Sequence, residues 1–502
     1  MNLAEAFSES VQKHSEKTAL FWGDAKFNYS ELWSRSLFVA GILRAQFRVA
    51  PGARVALWLK NCPDFIPALF GILQTGAVVV PINNFLKPAE VAYILNDAGI
   101  DVLITDIELS AHFEALKAQR PELQLLNIET ALISFPIPPG GTRFDTELLR
   151  NPTRKEEDLA VLIYTSGTTG RPKGAMLSHG NLLHNVNSCR LCLHAIAEDR
   201  FAVLLPMFHS YMLTVGILLP LLVGGSIVIV KSLHPPRNLI QEIYSKQPTI
   251  LPAFPQFYRS LVNAELPGKL PLRICISGSA PLPEQTLRDF ESRFRIPLIE
   301  GYGLSEASPV VAKNPLDGTH KAGSVGQPIP NVEMSIQDDE GQVLPPGQVG
   351  EICVRGGNVM MGYWNQLEET AKAFRDDWLL TGDLGYRDKE GYYYITDRKK
   401  DMLLVNGNNV YPREIEEVIY QYPNVKEAAV VGQPSERRGE QAVAFVVPND
   451  NTSIDENELL KFIRSKMADY KVPKKVIISS ALPRNATGKV LKTELRKQLE
   501  AK

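Results

Sequence analysis

Cysteine is scarce in this chain, with five among 502 residues: Cys62, Cys189, Cys192, Cys275 and Cys353. An odd, small number excludes a disulfide scaffold and suits a reducing compartment. Cys189 and Cys192 form a lone CxxC flanked by His184 and His194. No second pair completes the spacing of a structural zinc cluster, so the motif reads as two cysteines near a helix. Neither sign of charge dominates. Lysine plus arginine is 54 and aspartate plus glutamate 56, a net −2 with histidine neutral, which leaves no general nucleic-acid footprint. Repeats and low-complexity tracts are absent. The amino terminus, MNLAEAFSESVQKHSEKTAL, lacks a basic and an apolar region in signal-peptide order, and the expected location is cytoplasmic. One uncharged stretch, 212–230, has the length of a membrane span. Pro220 and Gly224-Gly225 interrupt it and SIVIV ends it. A buried helix, a tight turn and a buried strand are expected there.

What is present is ordinary for a large globular protein: 44% hydrophobic and 22% charged residues. Near-continuous apolar strands alternate with helical patterns, as in ARVALWLK, DFIPALFGILQTG and AVVVPIN. The alternation resumes after Asp158 and indicates parallel-sheet α/β subdomains. After about Lys321, short strands with Pro/Gly turns indicate a β-rich subdomain. A small α+β unit begins near Lys400, with a helix opening at Pro412. The predicted division is a large N-terminal domain, 1–399, and a C-terminal domain, 400–502.

Chemistry concentrates first in YTSGTTGRPKG, 164–174. A strand runs into a loop dense in glycine and hydroxyls: Thr165, Ser166, Gly167, Thr168, Thr169 and Gly170, followed by Lys173. Such a loop brings backbone N–H groups, hydroxyls and one cation to a polyphosphate. Pro172 stands where a Walker loop requires glycine, so the loop is not that of a P-loop NTPase.

This run closely resembles the signature loop of the adenylate-forming superfamily, which includes AMP-forming acyl-CoA synthetases. Further segments follow in the family's order: PMFH (206–209), SGSAP (277–281), GYGLSE (301–306), TGD (381–383), Asp397-Arg398 and NATGK (485–489). The resemblance implies ATP, Mg²⁺ and coenzyme A as reactants and cofactor, and a C-terminal domain that rotates between two half-reactions. It makes Lys489, His209 and Glu306 the catalytic candidates, with Glu306 and Thr165 as magnesium ligands. Gly278, Ser279, Ala280, Tyr302, Gly303, Ser305, Asp383 and Arg398 are the implied adenine, ribose and phosphate contacts. Ser305 replaces the family's threonine and keeps the hydroxyl. Lys400 matches the hinge. Gly407, in VNGNN, matches the channel for the thiol acceptor and reads equally well as a simple turn.

His209, Tyr211, Met212 and Gly301 are the implied acyl-pocket residues. The apolar run around His209 and the segments YGLSEASPV and DRKKDMLLVNGNNVYPREIE most resemble fatty-acid-activating members. Met212 departs from the family's small residue, Leu213 from the gating tryptophan of long-chain members, and Tyr211 is similar to coumarate-type ligases. The reading is a medium- or long-chain fatty acid–CoA ligase. An aryl-acid ligase, an acyl-carrier-protein ligase and a catalytically inactive nucleotide-binding regulator are its rivals. Peripheral membrane contact and oligomeric state stay open.

Overall fold

The structure, a computed structural model, describes residues 1–133, 154–166, 172–232, 236–435, 439–484 and 489–500. Two large sheets form the N-terminal part. The first has six strands in the order Gln124–Asn127, Val102–Thr105, Arg54–Trp58, Val78–Pro81, Leu159–Ser166 and Pro172–Ser178. Its first five strands are parallel and the last is antiparallel. The second has nine strands, with a parallel centre built from Ser226–Ile229, Arg200–Val203, Ile250–Ala253, Ile274–Ser277 and Leu298–Gly303. Val78–Pro81, Val102–Thr105 and Ile274–Ser277 are buried at every position. Continuous apolar strands of this kind require cover on both faces, which helices supply.

The β-rich subdomain is wholly antiparallel. Val332–Gln337, Gly350–Gly356, Trp378–Arg387, Phe374–Arg375 and Tyr393–Arg398 form it. A further sheet follows, made of Leu403–Val405, Asn408–Val410, Val425–Ser435, Gly439–Pro448 and Lys475–Ile478. It has its own cores on its two faces, one around Ile419, Val430 and Ile463, the other around Val431, Phe445 and Leu495. Helix Pro412–Tyr420 starts at proline and buries Ile415 and Ile419, four apart on one face.

Segment 212–230 folds as a π-helix Met212–Leu218, a short α-helix Leu219–Val223, a left-handed Gly224 and a buried strand Ser226–Ile229. Among the described residues no helix is long and apolar enough to cross a membrane. The wide helical turn was not legible in the sequence, because a π-helix shares the hydrophobic pattern of any buried helix.

The C-terminal unit docks through named contacts. Arg259, on helix Pro255–Asn263, donates to the carbonyl of Val425 at 2.5 Å, to that of Lys426, and to Asn449 Oδ1 at 3.2 Å. Arg413 donates to the carbonyl of Ile395 at 3.0 Å and lies 3.9 Å from Glu300 Oε1.

Candidate active site

A cavity of about 1050 Å³ opens where the two large sheets, the β-rich subdomain and the C-terminal unit meet. Strands Leu159–Ser166, Ile274–Ser277 and Leu298–Gly303 all deliver their carboxyl ends to it. Crevices beyond strand carboxyl ends are the usual ligand sites of open α/β sheets. Two glycines are there for space. A Cβ on Gly278 would press the Tyr211 ring at 3.3 Å, and one on Gly303 would stand 2.1 Å from the Pro309 carbonyl oxygen.

At one end of the cavity, Glu306 Oε1 accepts from Thr165 Oγ1 at 3.3 Å and from the Tyr363 hydroxyl at 3.0 Å. Ser305 Oγ lies 2.9 Å from Ser210 Oγ. Lys173 pairs with Glu369 on helix Leu367–Ala373, and its ammonium lies 5.2 Å from the centre of the Tyr363 ring. The paired lysines Lys173 and Lys372 hold the Glu369 carboxyl down at about 2. Ser166 ends its strand. Gly167, Thr168, Thr169 and Gly170 lie outside the described residues.

Beside this group, the Tyr302 hydroxyl donates to Asp383 Oδ2 at 2.6 Å and Arg398 Nε lies 3.2 Å from Asp383 Oδ1. Tyr302, Gly303, Gly278 and Ser279 line the cavity, Ser279 with a left-handed backbone at φ 67°. Ala280 follows, half-buried. An ionised carboxylate has about four acceptor positions on its two oxygens. Asp383 therefore retains acceptor capacity for hydroxyl donors after serving Tyr302 and Arg398.

His209 and Tyr211 line the middle of the cavity. Burial depresses the His209 pKa to about 4, so the ring is neutral near pH 7. Its Nδ1 accepts from the Tyr211 N–H at 3.3 Å, which leaves the ring proton on Nε2. The Tyr211 hydroxyl is tied to the carbonyl of Ile276 at 3.1 Å. Gly301 also lines the cavity. Met212 does not. It is 0% exposed, and its sulfur occupies the space where Gly216 lacks a side chain, with Val203 beside it. Tyr211 and Val215, about one helical turn apart, present the cavity face, and Met212 and Gly216 present the adjacent one. Met212, expected beside the acyl chain, is packed in the core instead, and Val215 stands on the cavity face.

Lys489 enters the same cavity from the C-terminal unit. Burial, reinforced by the positive charges of Arg398 and Lys400, lowers its pKa to about 8. Lys400 stands in the turn after strand Tyr393–Arg398, where the Lys399 and Asp401 amides bond to the carbonyls of Gly382 and Arg398. Gly407 occupies an exposed hairpin tip at φ +77° and lies outside the cavity lining.

Several cavity groups escaped sequence reasoning. Tyr363 and Glu369 belong to segments without an isolated chemical signature, and only the fold brings them to Glu306 and Lys173. Arg484, paired with Glu427 at 3.0 Å, reaches the cavity beside Lys489. Cys189, Cys192 and Lys313 line its far wall. A lysine ending the apolar strand SPVVAK was the available signal for the last.

The donor set fits magnesium. Mg²⁺ keeps several waters and needs only one or two protein oxygens beside substrate phosphates. Glu306 carboxylate and Thr165 hydroxyl supply hard oxygens at one point of the cavity. Among the described residues no cluster of three or more His, Cys, Asp or Glu forms a competing metal site.

Comparison with known proteins agrees with this geometry. Residues 7–364 match the family described as AMP-binding enzyme, and residues 414–489 match the AMP-binding enzyme C-terminal domain. A long-chain-fatty-acid–CoA ligase of Bacillus subtilis is 37% identical over 98% of this chain and 94% of its own length. A feruloyl-CoA synthase of Amycolatopsis is 37% identical over 96% of each. The ATP-bound crystal structure of MatB from Rhodopseudomonas palustris superposes with a TM-score of 0.91, at 33% identity over 100% of this chain and 99% of that one. The apo form of the same protein superposes at 0.78, at 32% identity over 100% and 99%. The chain belongs to the AMP-binding enzyme family and is an AMP-forming acyl-CoA synthetase, a ligase of an acid and a thiol that uses ATP, Mg²⁺ and coenzyme A.

Proposed function

We propose that this ligase activates a medium- or long-chain fatty acid. The observation that carries the reading is the continuity of the cavity. It runs from Glu306 and Lys489, past neutral His209, to a mostly apolar wall that includes Leu193, Phe208, Val215, Ile276 and Val310. The 37% identity to a long-chain ligase points the same way. A second reading, an aromatic acid, rests on Tyr211 in the cavity wall and on the equal identity to a feruloyl-CoA synthase.

In the first half-reaction a carboxylate oxygen attacks the α-phosphorus of ATP, the bond to pyrophosphate breaks, and acyl-AMP forms. Two anions must approach, so oriented positive charge is the main requirement. Lys489 supplies an ammonium at the reacting centre. Glu306 and Thr165 hold the magnesium, which offsets phosphate charge when bound. Lys173 and the loop hydroxyls take the terminal phosphates, which requires Lys173 to exchange Glu369 for ATP oxygens. Tyr302 packs against adenine, and Asp383 accepts from the ribose hydroxyls while Arg398 pairs with its Oδ1. His209 donates from Nε2 and orients the acid without adding charge.

In the second half-reaction the thiol of CoA loses its proton to solvent, its sulfur attacks the acyl carbonyl carbon, and the bond from that carbon to the AMP oxygen breaks, with AMP leaving with the electron pair. The domain of residues 400–502 turns about Lys400 to remove Lys489 and bring Gly407 to the acceptor passage, where a glycine lets a pantetheine arm pass close to the backbone. A carrier-protein thiol would follow the same route. The experiment is AMP release with CoA across acids of graded chain length and matched aromatic acids. A rising kcat/KM with aliphatic length is expected, and a preference for aromatic acids would transfer the assignment to the second reading.

A further inference from the structure

The far wall of the acyl cavity is not wholly apolar. Lys313 ends strand Val310–Lys313, lines the cavity and is only 8% exposed. Its register explains the depth. Val310 pairs with Gly303, close to Glu306, whereas Lys313 pairs with Gly301. The register shifts between Tyr302 and Gly303, so Lys313 stands two residues of the facing strand, about 7 Å, beyond the level of Val310. Cys189 and Cys192, in the last turn of helix His179–Cys192, line the cavity beside it.

A buried ammonium is costly unless its charge and its three donors are answered. The structure gives Lys313 Nζ one acceptor, the carbonyl of Asn314 at 2.9 Å. Among the described residues no carboxylate lies within 4.0 Å of it. The groups whose charge acts on it are first the Cys192 and Cys189 thiols and then Asp317, which is 82% exposed and lies 3.5 Å from His194. A structural lysine usually pairs with a carboxylate or reaches solvent, whereas this one has a single carbonyl acceptor and two weakly acidic thiols as neighbours.

We propose that the cavity is built for an acid carrying a second carboxylate at the end remote from the reacting one, held by Lys313. This rests on the ligase reading and narrows its substrate: the body of the acid lies along Val215 and Val310, and its distal carboxylate meets the ammonium. Burial lowers the Lys313 pKa, and a bound anion would reverse that shift. The distal carboxylate takes no part in the bond changes, so its recognition appears in selectivity.

The test uses the full-length enzyme and two matched pairs: decanoate with sebacate, and benzoate with terephthalate. Carboxylate-dependent pyrophosphate exchange is measured for the native protein, Lys313→Met and Lys313→Arg. The native enzyme should favour the diacid of at least one pair. Lys313→Met should lower kcat/KM for that diacid by roughly 10- to 100-fold, mainly through KM, because a site that answers a polar group strongly disfavours its absence. The monoacid should keep or gain activity, which also shows that the variant is folded. Lys313→Arg should retain the diacid preference. A native preference for both monoacids, or a diacid preference that survives Lys313→Met, overturns the proposal and leaves the ligase reading standing. Exchange with no acid at all would overturn both.

Discussion

Lys489 carries the sharpest residue-level expectation. Its side chain belongs to the C-terminal unit but lies in the N-terminal cavity, so it serves one arrangement of the two. Lys489→Ala should reduce pyrophosphate exchange by about 10²–10³-fold, the common cost of one oriented charge-stabilising donor. Thioester formation from supplied acyl-AMP should change little, and equal losses in the two would reject the role. The same group predicts a pH limb. With a pKa near 8 in the free enzyme, the ammonium is charged below that pH and neutral above it. The kcat/KM for adenylation should therefore fall as pH rises through about 8, and a flat profile to pH 9.5 would exclude Lys489 as the charged donor. Glu306→Gln keeps size but removes an anionic ligand, so exchange should fall and demand more magnesium. An unchanged magnesium titration would reassign the ligand. Legibility at this scale follows chemistry. Glu306, Asp383 and Lys489 stand in motifs whose resemblance to the family singled them out, and Glu306 and Lys489 line one cavity. Met212 was misplaced because a pattern of apolar residues gives a helix but not its rotation, and here a π-helix turns Met212 away from the cavity. Met212→Gly should accordingly lower stability by about 2–5 kcal/mol, as truncation of a buried side chain does. Its chain-length preference should stay constant in relative kcat/KM, and an altered preference would restore it to the pocket.

Among the elements, the turn after strand Tyr393–Arg398 and the helix Pro255–Asn263 hold the two units in place. The turn was legible as the end of one pattern and the start of another. The helix was not, because Arg259 acts through carbonyls of Val425 and Lys426, far along the chain. Hydrogen bonds to charged groups contribute about 1.5–3 kcal/mol each, so Arg259→Ala should loosen the docked arrangement. Exchange should drop roughly tenfold while CoA-dependent AMP release from acyl-AMP is kept. Equal effects on both steps would show that Arg259 only stabilises its helix. Lys400→Pro addresses the turn. Proline locks φ near −65°, so the thioester step should be impaired and adenylation spared. Undiminished thioester formation would place the hinge elsewhere.

For the whole molecule, the parallel sheets, the β-rich subdomain and the separate C-terminal unit were predictable from hydrophobic periodicity and turn chemistry. Their assembly around one cavity was not, since the groups that meet there are separated by up to a few hundred residues and nothing local marks their approach. On the proposed reading, acid, ATP and magnesium react in that one cavity, into which Lys489 reaches from the C-terminal unit. Pyrophosphate exchange into ATP, dependent on both acid and magnesium, tests it most directly. Exchange should proceed without CoA, be lost when the acid is omitted and be nearly abolished in Lys489→Ala. Folded, ATP-binding protein that catalyses no exchange with aliphatic, aromatic or dicarboxylic acids, or that hydrolyses ATP equally without an acid, would contradict it.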